Sequence, residues 1–426
     1  MRLKLAYGKE GLWVNLPEKG VTVIEPRFVA GLPDESAALR HALLRPIGSP
    51  PLRELVRAGQ SVAIVFPDLT RPMPHARVLP VLLAELEKAG VARQDITLIN
   101  ALGTHRANTP EELIGMLGRQ VYENYAIIQH DAFDPGSLTH MGRSSFGHEV
   151  WINSAYLQAD VKILTGFIEP HLFAGFSGGP KAVLPGLAGE RAVLGNHDFG
   201  MVAHPQATWG ITRGNPLWEE MLEIALLSAP TFLLNVTINK QRQISGVFAG
   251  DLQQAHAAGV DFVRQSAMVP VPAPFDIVIT TNSGYPLDLN LYQAVKGMSA
   301  AAQVVKTGGS IIAAAECWDG VPEHGQYKKL LHMANSPQAL LDIVSAPGFL
   351  MQDQWEAQVQ AQVQLRAEVY VRNSYLSDDE LRRALFMPCH EIEQTLAELM
   401  RRYGPGAAVC VLPEGPQTIP YLQRQQ

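Results

Sequence analysis

Cysteine is scarce: Cys317, Cys389 and Cys410 stand far apart and form no CxxC pair. That spacing supports neither a disulfide framework nor a zinc knuckle. Long apolar runs are missing too, since nothing approaches the ~18 residues of a membrane helix. The amino end MRLKLAYGKEGLWVNLPE turns polar before an apolar block of signal-peptide length develops. Basic clusters are absent; Lys and Arg are scattered and the formal charge is -7, which leaves no electrostatic footprint for nucleic acid. The chain reads as a soluble, unprocessed, cytoplasmic protein whose partner is a small molecule, with no nucleic acid and no membrane.

What is present points to an α/β enzyme. With 426 residues, 47% hydrophobic and 18% charged, the chain supports more than one core. Short Val- and Ile-rich runs end abruptly in polar loops: SVAIVFPD, ITLINALGTH, VKILTGFIEPH, FLLNVTIN, DIVITTNSGYP, SIIAAAEC and AAVCVLPEG. They have the length and composition of strands buried on both faces. Helical patterns such as HARVLPVLLAELEKAG lie between them, predicting two domains with mainly parallel sheets and a site in the interdomain cleft. Three prolines in MVPVPAPFD predict a boundary there. Residues 1–270 would form an N-terminal cofactor-binding and catalytic domain and 271–404 a C-terminal α/β domain. Residues 405–426 would either close the second or return to the first. The Gln-rich QWEAQVQAQVQLRAEVYV predicts an exposed helix.

In open α/β sheets ligands sit beyond the carboxyl ends of strands. Four runs deliver polar clusters there: Asp68, Thr70 and Arg71; Thr104, His105 and Arg106; Glu169 and His171; Tyr285 and Asp288. Each alone could be a cap or turn residue; two histidines at the same strand ends favour chemistry. GFSGGPK is no nucleoside-triphosphate loop, because Pro180 precedes Lys181 where that motif has Gly, and Ala182 follows where it has Ser or Thr. Gly178 and Gly179 ahead of Pro180 could bare N–H groups to a phosphate at a helix start, or simply make a tight turn. Lys181, inside an apolar segment, is costly to bury unless paired, neutralised or covalently engaged. His197 in GNHD is a candidate metal ligand without neighbouring donors at metal-site spacing. Tyr292, Gln293 and Lys296 share one helical face.

In order, DLTRP, GTHR, EPHLFAGFSGGPKAVLPGLAG, GNHD and LDLNLYQAVKGM resemble the nickel-pincer lactate racemase family and its 2-hydroxy-acid racemase and epimerase relatives. The resemblance implies a pyridinium mononucleotide that holds nickel between two sulfurs and a carbon, is attached covalently to Lys181, and takes His197 as its one protein ligand. It implies His105 and His171 as acid and base on opposite faces of the substrate carbon, and Arg71, Gln293 and Lys296 on the substrate carboxylate. Trp355 matches a substrate-side aromatic, while Asp68, Thr70, Ser177, Gly178, Gly179 and Tyr292 fit cofactor-holding positions. Dedicated maturation proteins would supply the cofactor. The α-hydrogen of a hydroxy carboxylate is too weakly acidic for an imidazole of ordinary pKa, so the implied route is hydride removal through a 2-keto acid. Lactate is the default substrate, with larger aliphatic, aromatic, dicarboxylic or sugar acids as alternatives. A non-catalytic nickel-cofactor carrier and an ordinary metal-dependent hydrolase are the readings of other classes.

Overall fold

The apolar runs form two six-stranded sheets. The structure, a computed structural model, describes residues 1–323 and 325–423. In the first sheet the spatial order is Ile244–Gly250, Phe232–Ile238, Val161–Phe167, Val62–Pro67, Ile96–Ala101, Ala126–Gln129. All neighbours are parallel except Ile244–Gly250, an antiparallel edge strand. In the second the order is Met387–Pro388, Ala367–Arg372, Val305–Ala314, Phe275–Thr281, Val409–Leu412, Val21–Val23, parallel throughout. The mainly parallel α/β architecture expected from the runs is the one observed.

Alternation along each strand splits its side chains between two faces. In the first sheet Ile64 and Phe66 pack with the helix His75–Lys88, whereas Val65 and Leu164 face a core that also holds Val278 and Ile311 of the second sheet. On the far side of the second sheet, Ile277 and Ile279 pack with Leu396 and with Leu5 and Val14 of an N-terminal hairpin. Both chain ends therefore attach to the second sheet, through Val21–Val23 beside Val409–Leu412. Sheet membership does not follow the continuous 1–270 unit read from the prolines, because a three-residue edge strand carries too little periodicity to announce its partner. Residues 424–426 of the carboxyl-terminal stretch lie outside the described residues.

The Gln-rich segment is a helix, Gln354–Arg366, but it is buried rather than exposed. Its glutamines find acceptors inside the protein: Gln358 Nε2 donates to Phe199 O at 3.0 Å and Gln360 Nε2 to Ala384 O at 2.8 Å. A buried amide is tolerated when its hydrogen bonds are made, so polarity in sequence did not mean water in the fold. Among the described residues no helix is long and apolar enough to cross a membrane.

Candidate active site

In the first sheet, strand order reverses between Val62–Pro67 and Val161–Phe167, and the loops leaving their carboxyl ends must part there. Asp68 and Arg71 follow the first of these strands, His171 follows the second, and His105 follows Ile96–Ala101. Facing them, the helix Leu291–Ala302 presents Tyr292, Gln293 and Lys296, and the helix Gln354–Arg366 presents Trp355 and Glu356. Together they line one cleft of about 1030 Å³, its open mouth included.

The two cleft histidines differ in what their Nδ1 atoms meet. His105 Nδ1 lies 2.7 Å from Asp68 Oδ2, and Asp68 Oδ1 accepts the Thr70 hydroxyl at 2.7 Å. Burial alone would raise the Asp68 carboxyl; the charges of His105 and Arg71 and these hydrogen bonds outweigh it and hold the group at about 2. An ionised Asp68 fixes the His105 proton on Nδ1 and leaves the Nε2 lone pair free to accept a proton. His171 is the reverse: its Nδ1 accepts the Ala174 N–H at 3.3 Å, so the neutral ring carries its proton on Nε2. Burial, then the charges of Lys181, Lys296, Arg71 and His197, keep His171 neutral, well below the ordinary histidine value.

His197 caps a short helix, and its Nδ1 donates to Val193 O at 3.1 Å. This leaves Nε2 as a bare donor atom for a metal, and burial with Lys181 nearby pushes its pKa down to about 3. Phe173 sits between the two imidazoles, its ring centroid 4.7 Å from His171 and 5.2 Å from His197. Trp355 covers His197 at 5.0 Å and donates from Nε1 to the Tyr292 hydroxyl at 3.0 Å.

Cations dominate the other end. Burial, with Arg71 and Lys296 close by, lowers Lys181 to about 7, so its amine is largely neutral and nucleophilic slightly above neutral pH. Lys296 Nζ donates to Gln293 Oε1 at 2.5 Å, and burial and Arg71 lower it to about 8. The glycines of the intervening loop are demanded by backbone shape. Gly178 has φ +77°, and a Cβ there would stand 2.6 Å from Asn235 Oδ1.

Most of the expected residues meet in this cleft: Asp68, Arg71, His105, His171, Ser177, Gly178, Lys181, His197, Tyr292, Gln293, Lys296 and Trp355 all line it. Thr70 stands behind, bonded to Asp68. Gly179 does not bare its N–H to an anion, because that group donates to Asn235 Oδ1 at 2.8 Å, and the element it opens is a four-residue 3-10 turn, Gly179–Ala182. Arg106 is engaged by Glu112 at 2.9 and 2.7 Å, and Asp288 accepts the N–H groups of Gly8 and Glu316 at 2.7 and 3.0 Å, so both are structural. Phe173 and Glu356 went unread in the sequence. The only local signal for Phe173 was its place two residues after His171; Glu356 was hidden in a helix taken for a solvated one.

Models of the lactate racemase N-terminal domain and C-terminal domain match residues 7–210 and 271–419. The chain is 33% identical over 423 residues to a lactate racemase of Thermoanaerobacterium thermosaccharolyticum, covering 98% of each. It is 37% identical over 386 residues to one of Lactiplantibacillus plantarum, covering 89% of this chain and 90% of that protein. The solved lactate racemase apoprotein of the first organism superposes with a TM-score of 0.92 at 32% identity over 100% of both chains. A Thermotoga maritima protein shares the fold at a TM-score of 0.71 and 18% identity, covering 93% of this chain and 100% of that one. By these matches and by the cleft they enclose, the chain belongs to the lactate racemase family.

Proposed function

We propose that this protein interconverts the enantiomers of lactate, using a nickel-pincer nucleotide bound covalently through Lys181 and delivered by maturation proteins. The observation that carries the reading is one cleft in which two imidazoles of opposite hydrogen-bonding sense face three basic side chains, Arg71, Lys181 and Lys296. The residues present fit the cofactor. Lys181 offers an amine that is largely neutral near physiological pH, the form that acylation requires, and His197 offers an Nε2 lone pair with its tautomer set by Val193 O. Among the described residues no group of three His, Cys, Asp or Glu could hold a metal by itself, and a cofactor with its own sulfur and carbon donors asks the protein for a single ligand.

When bound, that cofactor supplies acceptance and return of the hydride at the substrate α-carbon. The chain does the rest. Arg71, Gln293 and Lys296 hold the carboxylate, which fixes the α-carbon and its hydroxyl relative to the two rings. His105 Nε2 takes the hydroxyl proton of one enantiomer, and Asp68 steadies the imidazolium so formed. Loss of that proton and of hydride leaves the flat 2-keto acid, and return of both to either face restores a hydroxy acid with no net change in atoms. His171 would serve the opposite enantiomer from the other side, for which the ring proton held on Nε2 in the resting arrangement has to shift to Nδ1, because only a bare ring nitrogen accepts the hydroxyl proton. Phe173 and Trp355 exclude water from the space between.

The test combines two measurements on protein matured with cofactor. Peptide mass analysis should find the adduct on Lys181, and enantiopure lactate should racemise with its α-deuterium retained in the first turnovers. His105→Ala and His171→Ala, made separately, should keep the adduct and lose racemisation by about 10²-fold or more. Matured protein that leaves lactate enantiopure, or an adduct-bearing double variant as active as wild type, sinks the reading.

A further inference from the structure

Three of the four residues of GNHD lean on one pair of side chains outside the cleft. Glu220, on the helix Pro216–Leu227, is fully buried, and the one basic side chain bonded to it among the described residues is His148. Neither lines the cleft. Glu220 Oε2 accepts from Asn196 Nδ2 at 2.9 Å, and its Oε1 accepts from His148 Nδ1 at 2.8 Å and from the Ser144 hydroxyl. Asn196 Nδ2 also donates to Leu217 O at 3.1 Å, so this amide nitrogen faces two acceptors and can turn only one way. His148 lies in the turn between the strands Leu138–Arg143 and Glu149–Asn153. Its ring covers Gly195, where a Cβ would stand 2.7 Å from its Cγ, and its Nε2 comes within 3.8 Å of Asp198 Oδ2. Asp198 starts the next helix, Phe199–Ala203, by accepting the Met201 N–H at 2.7 Å. His197 thus stands at the joint of two short helices whose facing ends are fastened from outside the cleft.

Resting on the function proposed above, we propose that Glu220 and His148 are positioning residues for His197: by holding Gly195, Asn196 and Asp198, they keep its Nδ1 bonded to Val193 O and its Nε2 bare for the metal. A buried carboxyl is costly unless its oxygens are bonded, and an apolar side chain of like volume would often hold the same helices together as well. An apolar side chain could not fix the Asn196 amide, nor, through it, the shape of the last helical turn. That turn contains the bond that sets the His197 tautomer, and terminal turns are where helices fray. Phe173 and Trp355 pack on the His197 ring, but as aromatic contacts they do not choose which of its nitrogens carries the proton. The choice is made by Val193 O, and the pair outside the cleft keeps that carbonyl in reach.

The tautomer of His197 in the cofactor-free protein reads this coupling without any activity. In protein labelled with nitrogen-15 histidine, with the His197 signals assigned by their loss in His197→Gln, magnetic resonance should show wild type with its proton on Nδ1 alone. Glu220→Gln has one oxygen for donors on both sides, so its NH2 must face a donor, and His197 should become a mixture of tautomers. His148→Ala should do the same, and it carries the test should Glu220→Gln fail to fold. His148→Asn, whose amide can donate to Glu220 from the place of Nδ1, should stay close to wild type. A pure Nδ1–H form in folded Glu220→Gln and His148→Ala, or as much mixing in His148→Asn as in His148→Ala, overturns the proposal. In matured protein the Lys181 adduct should be retained by the variants, while a chelator strips nickel about tenfold faster or more from Glu220→Gln or His148→Ala than from wild type. Metal analysis checks this, and equal rates also overturn it. Wild-type protein that matures without nickel or an adduct would refute the cofactor reading instead, and the tautomers would still decide whether Glu220 and His148 govern His197.

Discussion

Asp68 is 4% exposed and ionised, a state that survives burial only where cations and donors replace the water it has lost. His105, Arg71 and Thr70 provide that replacement, so the carboxyl titrates at about 2 when folded against 3.8 in the unfolded chain. The folded value is the lower, so the stability gained is complete above the unfolded pKa and disappears as pH falls from about 4 to 2. That difference corresponds to about 2 kcal/mol. Asp68→Asn should therefore lower thermal stability at pH 6, and the gap from wild type should close as pH approaches 2. In the matured enzyme the same change should cut racemisation by about 10²-fold or more, because His105 loses the anchor for its tautomer. Calorimetry across pH and a chiral assay check the two halves. That Asp68 is a site candidate was legible in DLTRP; that its partner would be His105, 37 residues later, was not. Proximity between two loops depends on strand order, which local pattern does not encode.

Among elements, the glycine loop and the Gln-rich helix show where residue type misleads. Gly178 combines φ +77° with a backbone oxygen, Phe167 O, 3.0 Å from where a Cβ would be. Gly178→Ala should destabilise the protein by about 1–3 kcal/mol, measured as a fall in denaturant midpoint at unchanged slope. A loss under 0.5 kcal/mol (the order of a neutral surface change) would show that the turn relaxes freely. The sequence allowed either a phosphate-binding nest or a tight turn in this loop. The turn explains Gly179, since Asn235 takes its N–H. Asn235 belongs to a strand 56 residues further on, and no reading of GFSGGPK alone could have supplied it. The helix Gln354–Arg366 misled in the opposite sense. Gln favours exposure on average, yet here the acceptors come from Phe199 and Ala384 on other elements, and burial follows from those bonds.

For the whole molecule, the decisive feature is a core shared by both sheets. Val65 and Leu164 from one sheet belong to the same buried cluster as Val278 and Ile311 from the other, and Trp209 Nε1 donates to Ser299 Oγ across them at 3.1 Å. Urea unfolding followed by far-UV dichroism and by tryptophan fluorescence should give one coincident transition. Two separated midpoints would mean that the halves unfold independently. By itself the sequence determined the α/β class, the parallel strands and most of the candidate positions that line the cleft, because buried strands and strand-end loops leave short-range patterns of hydrophobicity and polarity. Only the tertiary structure decided that both chain ends join the second sheet, that His105 leans on Asp68, that Gly179 is spent within the fold, and that Glu356 faces the cleft. Each of these depends on contacts between segments tens to hundreds of residues apart, where burial and electrostatics are set by neighbours that no local stretch contains.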